Sequence, residues 1–287
     1  MNISIQNTKS SDNIQRKRRD MTIRSHSRIL MTGAAGGLGQ AMRTRLKANC
    51  DILRLSDLHP LDAAQAGEEV VQADLADAAA VNAMVAGCQA IVHFGGVSTE
   101  QPWAPILQAN IVGVYNLYEA ARTQGVKRVV FASSNHVMGF YRQNEVVDAY
   151  SPPRPDGLYG LSKAFGEDIS RLYFDRYGIE TACVRIGSSF AEPRDRRMLA
   201  TWLSFDDLHR LITATLTTPV LGHSIIYGTS DNSVSWYDNH LAKHIGYRPL
   251  DSSDAFRQAV YARTDEPDLA DPAVQFQGGG FVKIGPL

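Results

Sequence analysis

The chain has 287 residues, about 31.5 kDa, of which 44% are hydrophobic, with a formal net charge of −1 and a sequence pI near 6.7. That length allows one or two domains around a sizeable core, and the near-neutral balance lacks the strongly basic face that nucleic-acid binding would want, so a small-molecule partner fits better. Three cysteines, Cys50, Cys88 and Cys183, lie far apart with no C-x-x-C, which argues against a disulfide framework or zinc knuckle and points to a cytoplasmic location. No apolar stretch approaches the roughly 18–20 residues of a membrane span.

Residues 1–26 show no apolar periodicity and contain the basic cluster Arg16 to Arg19. They are expected to be a disordered extension. Basic residues follow the few apolar ones instead of preceding an apolar core, so a secretory signal is excluded, and Asp12 and Asp20 argue against a transit peptide. Met21 is a candidate start.

From residue 28 the pattern alternates strand and helix. Strands are predicted at 29–31, 52–55, 70–71, 90–93, 128–132 and 181–186, with helical periodicity at 38–48, 78–85, 106–123 and 159–177. This alternation predicts an α/β fold with a doubly wound parallel sheet, Rossmann-like, over residues 27–187. After Ile186 the composition shifts to Arg, Pro, Trp and Gly without regular strands. Residues 188–287 are therefore expected to form a small substrate-binding cap over the sheet's carboxyl edge, with some segments returning to the Rossmann domain.

The first predicted strand runs into T-G-A-A-G-G-L-G, placing Gly33, Gly36 and Gly39 in a G-x-x-G-x-x-G turn that opens a helix. Such glycines let the backbone approach a pyrophosphate, which then rests on free N–H groups at the positive end of the helix dipole. Asp57 closes the second strand where an acidic side chain would meet ribose hydroxyls. Further along, Tyr159 and Lys163 stand four apart in Y-G-L-S-K, downstream of the strand V-V-F-A-S-S that ends at Ser134. Residues four apart share a helix face, so the ammonium can sit near the phenol. Bringing a tyrosine from its ordinary pKa near 10 to about 7 requires roughly 4 kcal/mol of differential stabilisation, and a nearby cation can supply it. With Ser134 bonded to the substrate oxygen, the set would make a proton-removing site beside a nicotinamide.

These residues resemble the extended short-chain dehydrogenase/reductases, an NAD-dependent epimerase/dehydratase family, over residues 28 to about 190. The resemblance rests on T-G-A-A-G-G-L-G, D-L-A-D at Asp74 to Asp77, H-F-G-G at His93 to Gly96, N-I-V-G-V-Y-N-L from Asn110, and Y-G-L-S-K. It implies Tyr159 as general base, Lys163 as the group that lowers its pKa and binds ribose, Ser134 as the substrate-hydroxyl contact, and Asn110 as a helix-kinking, water-binding residue. Gly33, Gly36, Gly37, Leu38, Gly39, Asp57, Asp74, Leu75, Gly95, Asn110, Tyr159, Lys163 and Ile186 would hold the cofactor. An acid at position 57 implies NAD, since selectivity for a 2′-phosphate would call for an arginine.

The chain departs from the family's dehydratases, which carry an acidic pair where this chain has Asn135 and His136. A cap of about 100 residues also leaves little room for a nucleoside diphosphate. Within the family the likeness is greatest to members that oxidise free hexuronic acids, through G-G-V-S-T-E, F-A-S-S-N-H, R-P-D-G-L-Y-G-L-S-K, V-R-I-G-S-S, E-P-R-D-R-R-M-L and F-Q-G-G-G-F. That likeness puts a carboxylate clamp at Arg197, whose planar fork suits two-point contact, with Ser98, Ser134, Asn135, His136, Tyr159 and Ser188 touching the sugar. It implies oxidation of galacturonate or glucuronate at C1 to an aldaric acid lactone, by a homo-oligomer. Two other readings stay open: another sugar or nucleotide-sugar dehydrogenase or epimerase, and a non-catalytic NAD-binding regulator. Arg194 and Arg196 read as a solvated basic loop, His240 and His244 as surface or packing residues without metal, and Trp103, Trp202 and Trp236 as buried packing. Cys183 reads as a small apolar filler in a core strand.

Overall fold

Apolar runs that must bury both faces can do so only in the middle of a layered sheet, and the inner strands of this chain do so. In the computed structural model, which describes residues 26–285, strands β1 (His26–Thr32), β2 (Cys50–Asp57), β3 (Glu68–Gln72), β4 (Ala90–His93), β5 (Arg128–Ser134), β6 (Glu180–Ile186) and β7 (His223–Gly228) form one sheet in the order 3-2-1-4-5-6-7. Every neighbouring pair is parallel. Successive side chains enter opposite cores: Ile29, Met31, Val92 and Val184 pack on one face, and Leu30, Ile91, Val129 and Cys183 on the other. The filler reading of Cys183 agrees with its full burial there.

The first core is covered by α1 (Gly37–Leu46) through Met42 and Leu46. The second is covered by α2 (Ala78–Val85) through Val81 and Met84. The single helix predicted at 106–123 is three consecutive pieces: α3 (Trp103–Ile106), a π-helical turn (Leu107–Val112) and α4 (Gly113–Gln124). With α5 (Leu158–Tyr177), α4 covers the second core through Val114, Leu117, Ile169 and Tyr173.

After Ile186, where the sequence reading placed no regular strand and expected some segments to return to the Rossmann domain, the chain comes back to the sheet twice. The strand β7 extends the parallel sheet beside β6. The helix α7 (Phe205–Thr217), which follows the short α6 (Met198–Thr201), packs Leu208, Leu211, Ile212 and Leu216 on the first core. Ser204 caps α7 by accepting from Asp207 N, and Asp206 and Asp207 sit in its first turn, favourable for the dipole. The rest of the late chain is short turns, α8 (Arg257–Ala262) and α9 (Pro272–Gln275). Its end folds back onto the loop after β5: Gln277 N donates to Tyr141 O at 2.8 Å and Gly278 N to Gly139 O at 2.9 Å.

His26 is the first residue of β1, so the expected extension does not include it; the expectation for residues 1–25 falls outside the described residues. Trp202 and Trp236 are buried, whereas Trp103 is 48% exposed at the start of α3, against the packing expected of it. Among the described residues no helix is long and apolar enough to cross a membrane.

Beneath the carboxyl edge, α5 is tied to β6 by a buried ion pair. Arg185 Nε and Nη2 donate to the two Glu167 oxygens at 2.9 and 2.8 Å, Ser133 Oγ adds a bond to Glu167 Oε1 at 2.6 Å, and Arg185 Nη1 donates to Tyr227 Oη at 2.7 Å. Replacing one partner strands the other charge. Glu167→Ala should lower stability to urea by about 3–5 kcal/mol; a loss under about 1 kcal/mol would show that the pair contributes little.

Candidate functional site

A cleft of about 950 Å³ runs along the carboxyl ends of the strands, bordered by the ends of β1, β2, β4, β5 and β6 and by segments 187–198 and Phe281. This is where open parallel sheets bind ligands. At one end the chain makes the tight turn that the glycines foretold. Gly33 has φ +70°, and a Cβ there would lie 2.6 Å from the carbonyl carbon of Phe94. At Gly39 a Cβ would lie 2.2 Å from Gly33 O, so only glycine lets α1 come this close to the turn.

Gly36 is the N-cap of α1 and no side chain caps the helix. Gly36, Gly37, Leu38 and Gly39 border the cleft, so first-turn N–H groups are available to an anion. Asp57 does structural work as well: its Oδ2 accepts from Ala35 N at 3.0 Å and its Oδ1 from His59 N at 3.0 Å, which ties β2 to the glycine turn. Asp74, Leu75, Gly95 and Ile186 line the same half. The close-packed glycines and the uncapped helix start suit a dinucleotide pyrophosphate, so these residues fit the cofactor that the sequence reading implied.

The other half gathers Ser98, Ser134, Asn135, His136, Tyr159, Lys163, Ser188 and Arg197. Asn110 alone of the expected residues does not line the cleft. It lies behind in the π-helical turn, where Oδ1 accepts from Val97 N at 2.8 Å and Nδ2 donates to Val97 O at 3.0 Å and Ser162 Oγ at 2.9 Å. It thereby pins the loop carrying Ser98 to the helix carrying Tyr159, and π-turns are common at such places.

Tyr159 and Lys163 share a face of α5, with Nζ 5.7 Å from the phenol ring centroid. Burial pushes the phenol up to about 12, opposed by a hydrogen bond to Ser134, and pushes the Lys163 ammonium down to about 8. Burial thus favours the neutral form of each group, and the protein by itself holds the phenol above its ordinary value, the reverse of what was expected from Lys163. Ser134 Oγ accepts from His136 N at 3.2 Å, and Asn135 Nδ2 reaches Tyr237 Oη at 3.4 Å. Ser188 Oγ sits 2.9 Å from Thr201 Oγ1.

Arg197 is held through Nε, which donates to Gln277 O at 2.6 Å, while its Nη2 is buried with no hydrogen-bond partner among the described residues. Its neighbours are used differently. Arg196 pairs with Glu266 at 2.8 Å over the Tyr261 ring, so it is engaged rather than merely solvated. Arg194 is exposed and stacks over Phe190 at the cleft's rim. His240 and His244 are exposed, His240 pairing with Asp238 at 2.9 Å.

Sequence reasoning missed three residues of this site. Glu100 is buried and its two oxygens accept from Leu158 N and Tyr159 N, each at 2.9 Å, so a carboxylate 58 residues upstream caps the helix that carries the tyrosine. Asp156 is buried against His136, with Oδ2 2.6 Å from Nδ1. Phe281 stacks on His136 with ring centroids 3.8 Å apart. Their motifs were visible, but which distant segment each meets is set by the fold-back of the chain.

The model of the NAD dependent epimerase/dehydratase family matches residues 29–213. A uronate dehydrogenase of Pseudomonas putida is 57% identical over 268 residues, 93% of this chain and 100% of that protein. A solved uronate dehydrogenase from Agrobacterium tumefaciens, a mutant complexed with NAD, is 54% identical with a TM-score of 0.90, covering 91% of this chain and 98% of the other. A glucuronic acid dehydrogenase from Chromohalobacter salexigens has 52% identity, a TM-score of 0.90 and the same coverage.

Because a Cβ at position 39 would strike Gly33 O, Gly39→Ala should weaken dinucleotide binding at least about tenfold with the fold retained, read by fluorescence titration beside a circular-dichroism melt. Unchanged affinity would remove the turn from the binding site.

Proposed function

We propose that this chain, which belongs to the NAD-dependent epimerase/dehydratase family, oxidises free hexuronic acids, galacturonate or glucuronate, at C1 to the aldaric acid lactone with NAD. The observation that carries this reading is Arg197: a guanidinium held at Nε, with a buried, unpartnered Nη2, in the same cleft as Tyr159, Lys163 and Ser134. An unsatisfied buried donor of positive charge asks for an anionic acceptor, and a sugar carboxylate is one. The uronate-oxidising relatives support the same substrate class.

In the proposed reaction the carboxylate lies on Arg197 and the anomeric hydroxyl lies between Ser134 and Tyr159. NAD, when bound on the glycine turn and α1, supplies the acceptor for the hydride that leaves C1. Tyr159 Oη takes the hydroxyl proton as the C1–O double bond forms. Ser134 Oγ bonds the reacting oxygen and keeps it aimed at the phenol. Lys163 places a cation on the face of α5 that carries Tyr159. Glu100 holds the start of that helix by two charge-assisted bonds.

The sign of the pH dependence follows. The catalytic form has one proton fewer than the resting pair, so kcat/KM should climb as pH rises from 6 to 9. Lys163→Met should move that limb upward by about a unit or more, because it removes the ammonium, which lies down at about 8, and leaves the phenol, which burial holds up at about 12. Tyr159→Phe should lower kcat about 10²- to 10⁴-fold while NAD still binds. A pH-independent rate, or a Phe variant with full turnover, would assign the base elsewhere.

We also propose a cytoplasmic homo-oligomer. Cys88 and Cys183 are free thiols, and α4 and α5 carry exposed Tyr115, Leu161, Leu172 and Tyr177, apolar surface of the kind that partner copies cover. The deciding experiment follows nicotinamide reduction in purified protein given NAD and galacturonate, glucuronate, galactose or glucose. Reduction with the uronates alone is the expected result. Reduction with the neutral sugars too would keep a dehydrogenase and discard the clamp. No reduction with any of them, in protein shown to bind NAD, would favour an epimerase or a regulator.

A further inference from the structure

His136 borders the substrate half of the cleft, and three sides of its ring are already occupied. Phe281 stacks on one face at 3.8 Å and 27°, Tyr159 meets it edge-on at 5.8 Å, and Asp156 Oδ2 sits 2.6 Å from Nδ1. The Asp156 side chain is fully buried. It is walled in by glycines from two segments: a Cβ at Gly139 would lie 2.0 Å from Oδ2, and one at Gly278 2.1 Å from the same oxygen. Asp156 N also donates to His136 O at 3.3 Å, so one residue grips the histidine by main chain and side chain. Two glycines and a backbone bond devoted to one carboxylate indicate that its position is specified.

We propose that Asp156 is a positioning residue that holds His136 in the tautomer with its proton on Nδ1, so that Nε2 presents a lone pair to a substrate hydroxyl. The inference rests on the uronate reading of the cleft and adds a specificity role to it. A carboxylate at hydrogen-bond distance accepts from Nδ1–H, which leaves Nε2 as the acceptor of a neutral ring. Burial keeps the imidazole below its ordinary value, and the Arg197 charge works in the same direction, against the raising effect of Asp156. The chemistry is complementary to the rest of the site. Arg197 and Lys163 are donors, so a sugar hydroxyl that must give up its own hydrogen needs an acceptor, and a neutral Nε2 is suited to that.

The test is a double-mutant cycle on the full chain with NAD, using Asp156→Ala, His136→Ala and the double variant. Asp156→Ala should raise KM for galacturonate and glucuronate about tenfold, change kcat by less than about threefold, and leave NAD affinity unchanged. Added to His136→Ala it should cost nothing further, because it acts through the ring. Nitrogen-15 NMR of labelled histidine should show Nδ1 protonated and Nε2 bare in the native protein, and the Nε2–H form gaining population in Asp156→Ala. Asp156→Asn, which keeps the volume and removes the charge, takes its place if the alanine variant does not fold, with the same direction of change. Additive losses in the double variant, or a native ring protonated at Nε2, would overturn the proposal. The tautomer is read without turnover, so failure of the uronate assay and failure of this inference give separate results.

Discussion

A guanidinium nitrogen buried without a partner is costly unless an anion completes it, and one half of the cleft is arranged around the part-buried Arg197, whose Nη2 is in that condition among the described residues. Its Nε is satisfied by Gln277 O, which is carried in by the last turn of the chain. Gln277 is itself anchored, its side chain donating to Arg142 O and Glu145 O at 3.1 and 2.8 Å. Gly279, at φ +61°, lets the backbone pass beside the arginine, where a Cβ would lie 2.5 Å from Arg197 Cδ. The same segment lays Phe281 on His136. The setting of Arg197 and the ring that covers His136 thus depend on one fold-back.

The sheet supplies what this half cannot. Parallel strands bring the ends of β1, β4 and β5 to one edge, so the glycine turn, Gly95 and Ser134 meet although they are spread over about a hundred residues of sequence. Behind that edge the second layer is polar and paired: Asn110 joins the Ser98 loop to α5, Glu100 caps α5, and the Arg185–Glu167 pair fastens α5 to β6. Each ties the tyrosine helix to a different neighbour. On the proposed mechanism that rigidity matters, because proton and hydride transfer both need the sugar held to within a fraction of an ångström.

How much of this was legible in the sequence depended on the range of the signal. The glycine turn, Asp57, and Tyr159 with Lys163 are local patterns whose geometry follows from spacing along a strand or helix, and the cleft contains them. Strands β1, β2, β4, β5 and β6 were legible from their apolar, β-branched runs, and the edge strand β3 only through Val70 and Val71. The helix α7 was legible in principle, since Ser204, the acids after it, and Leu208, Leu211, Ile212 and Leu216 are a capped amphipathic pattern; the change of composition after Ile186 drew attention from it. Strand β7 is a short run at the sheet's edge with polar residues at 223 and 224, a weak signal for any strand. The kink at 107–112 cannot be read from periodicity, and the partners of Glu100 and Asp156 are long-range facts of the fold. Spacing likewise predicts the ammonium near the phenol, whereas burial, which spacing does not measure, is what pushes the phenol up.

The most direct measurement is equilibrium binding of galacturonate and of its uncharged methyl ester to the protein saturated with NADH, in the native chain and in Arg197→Met. If Arg197 holds the substrate carboxylate, the acid should bind about 10- to 100-fold more tightly than the ester, the worth of a charge-assisted bond to a buried partner, and the methionine variant should erase the difference. Equal binding of acid and ester by the native protein would contradict the carboxylate clamp and with it the uronate reading of the site.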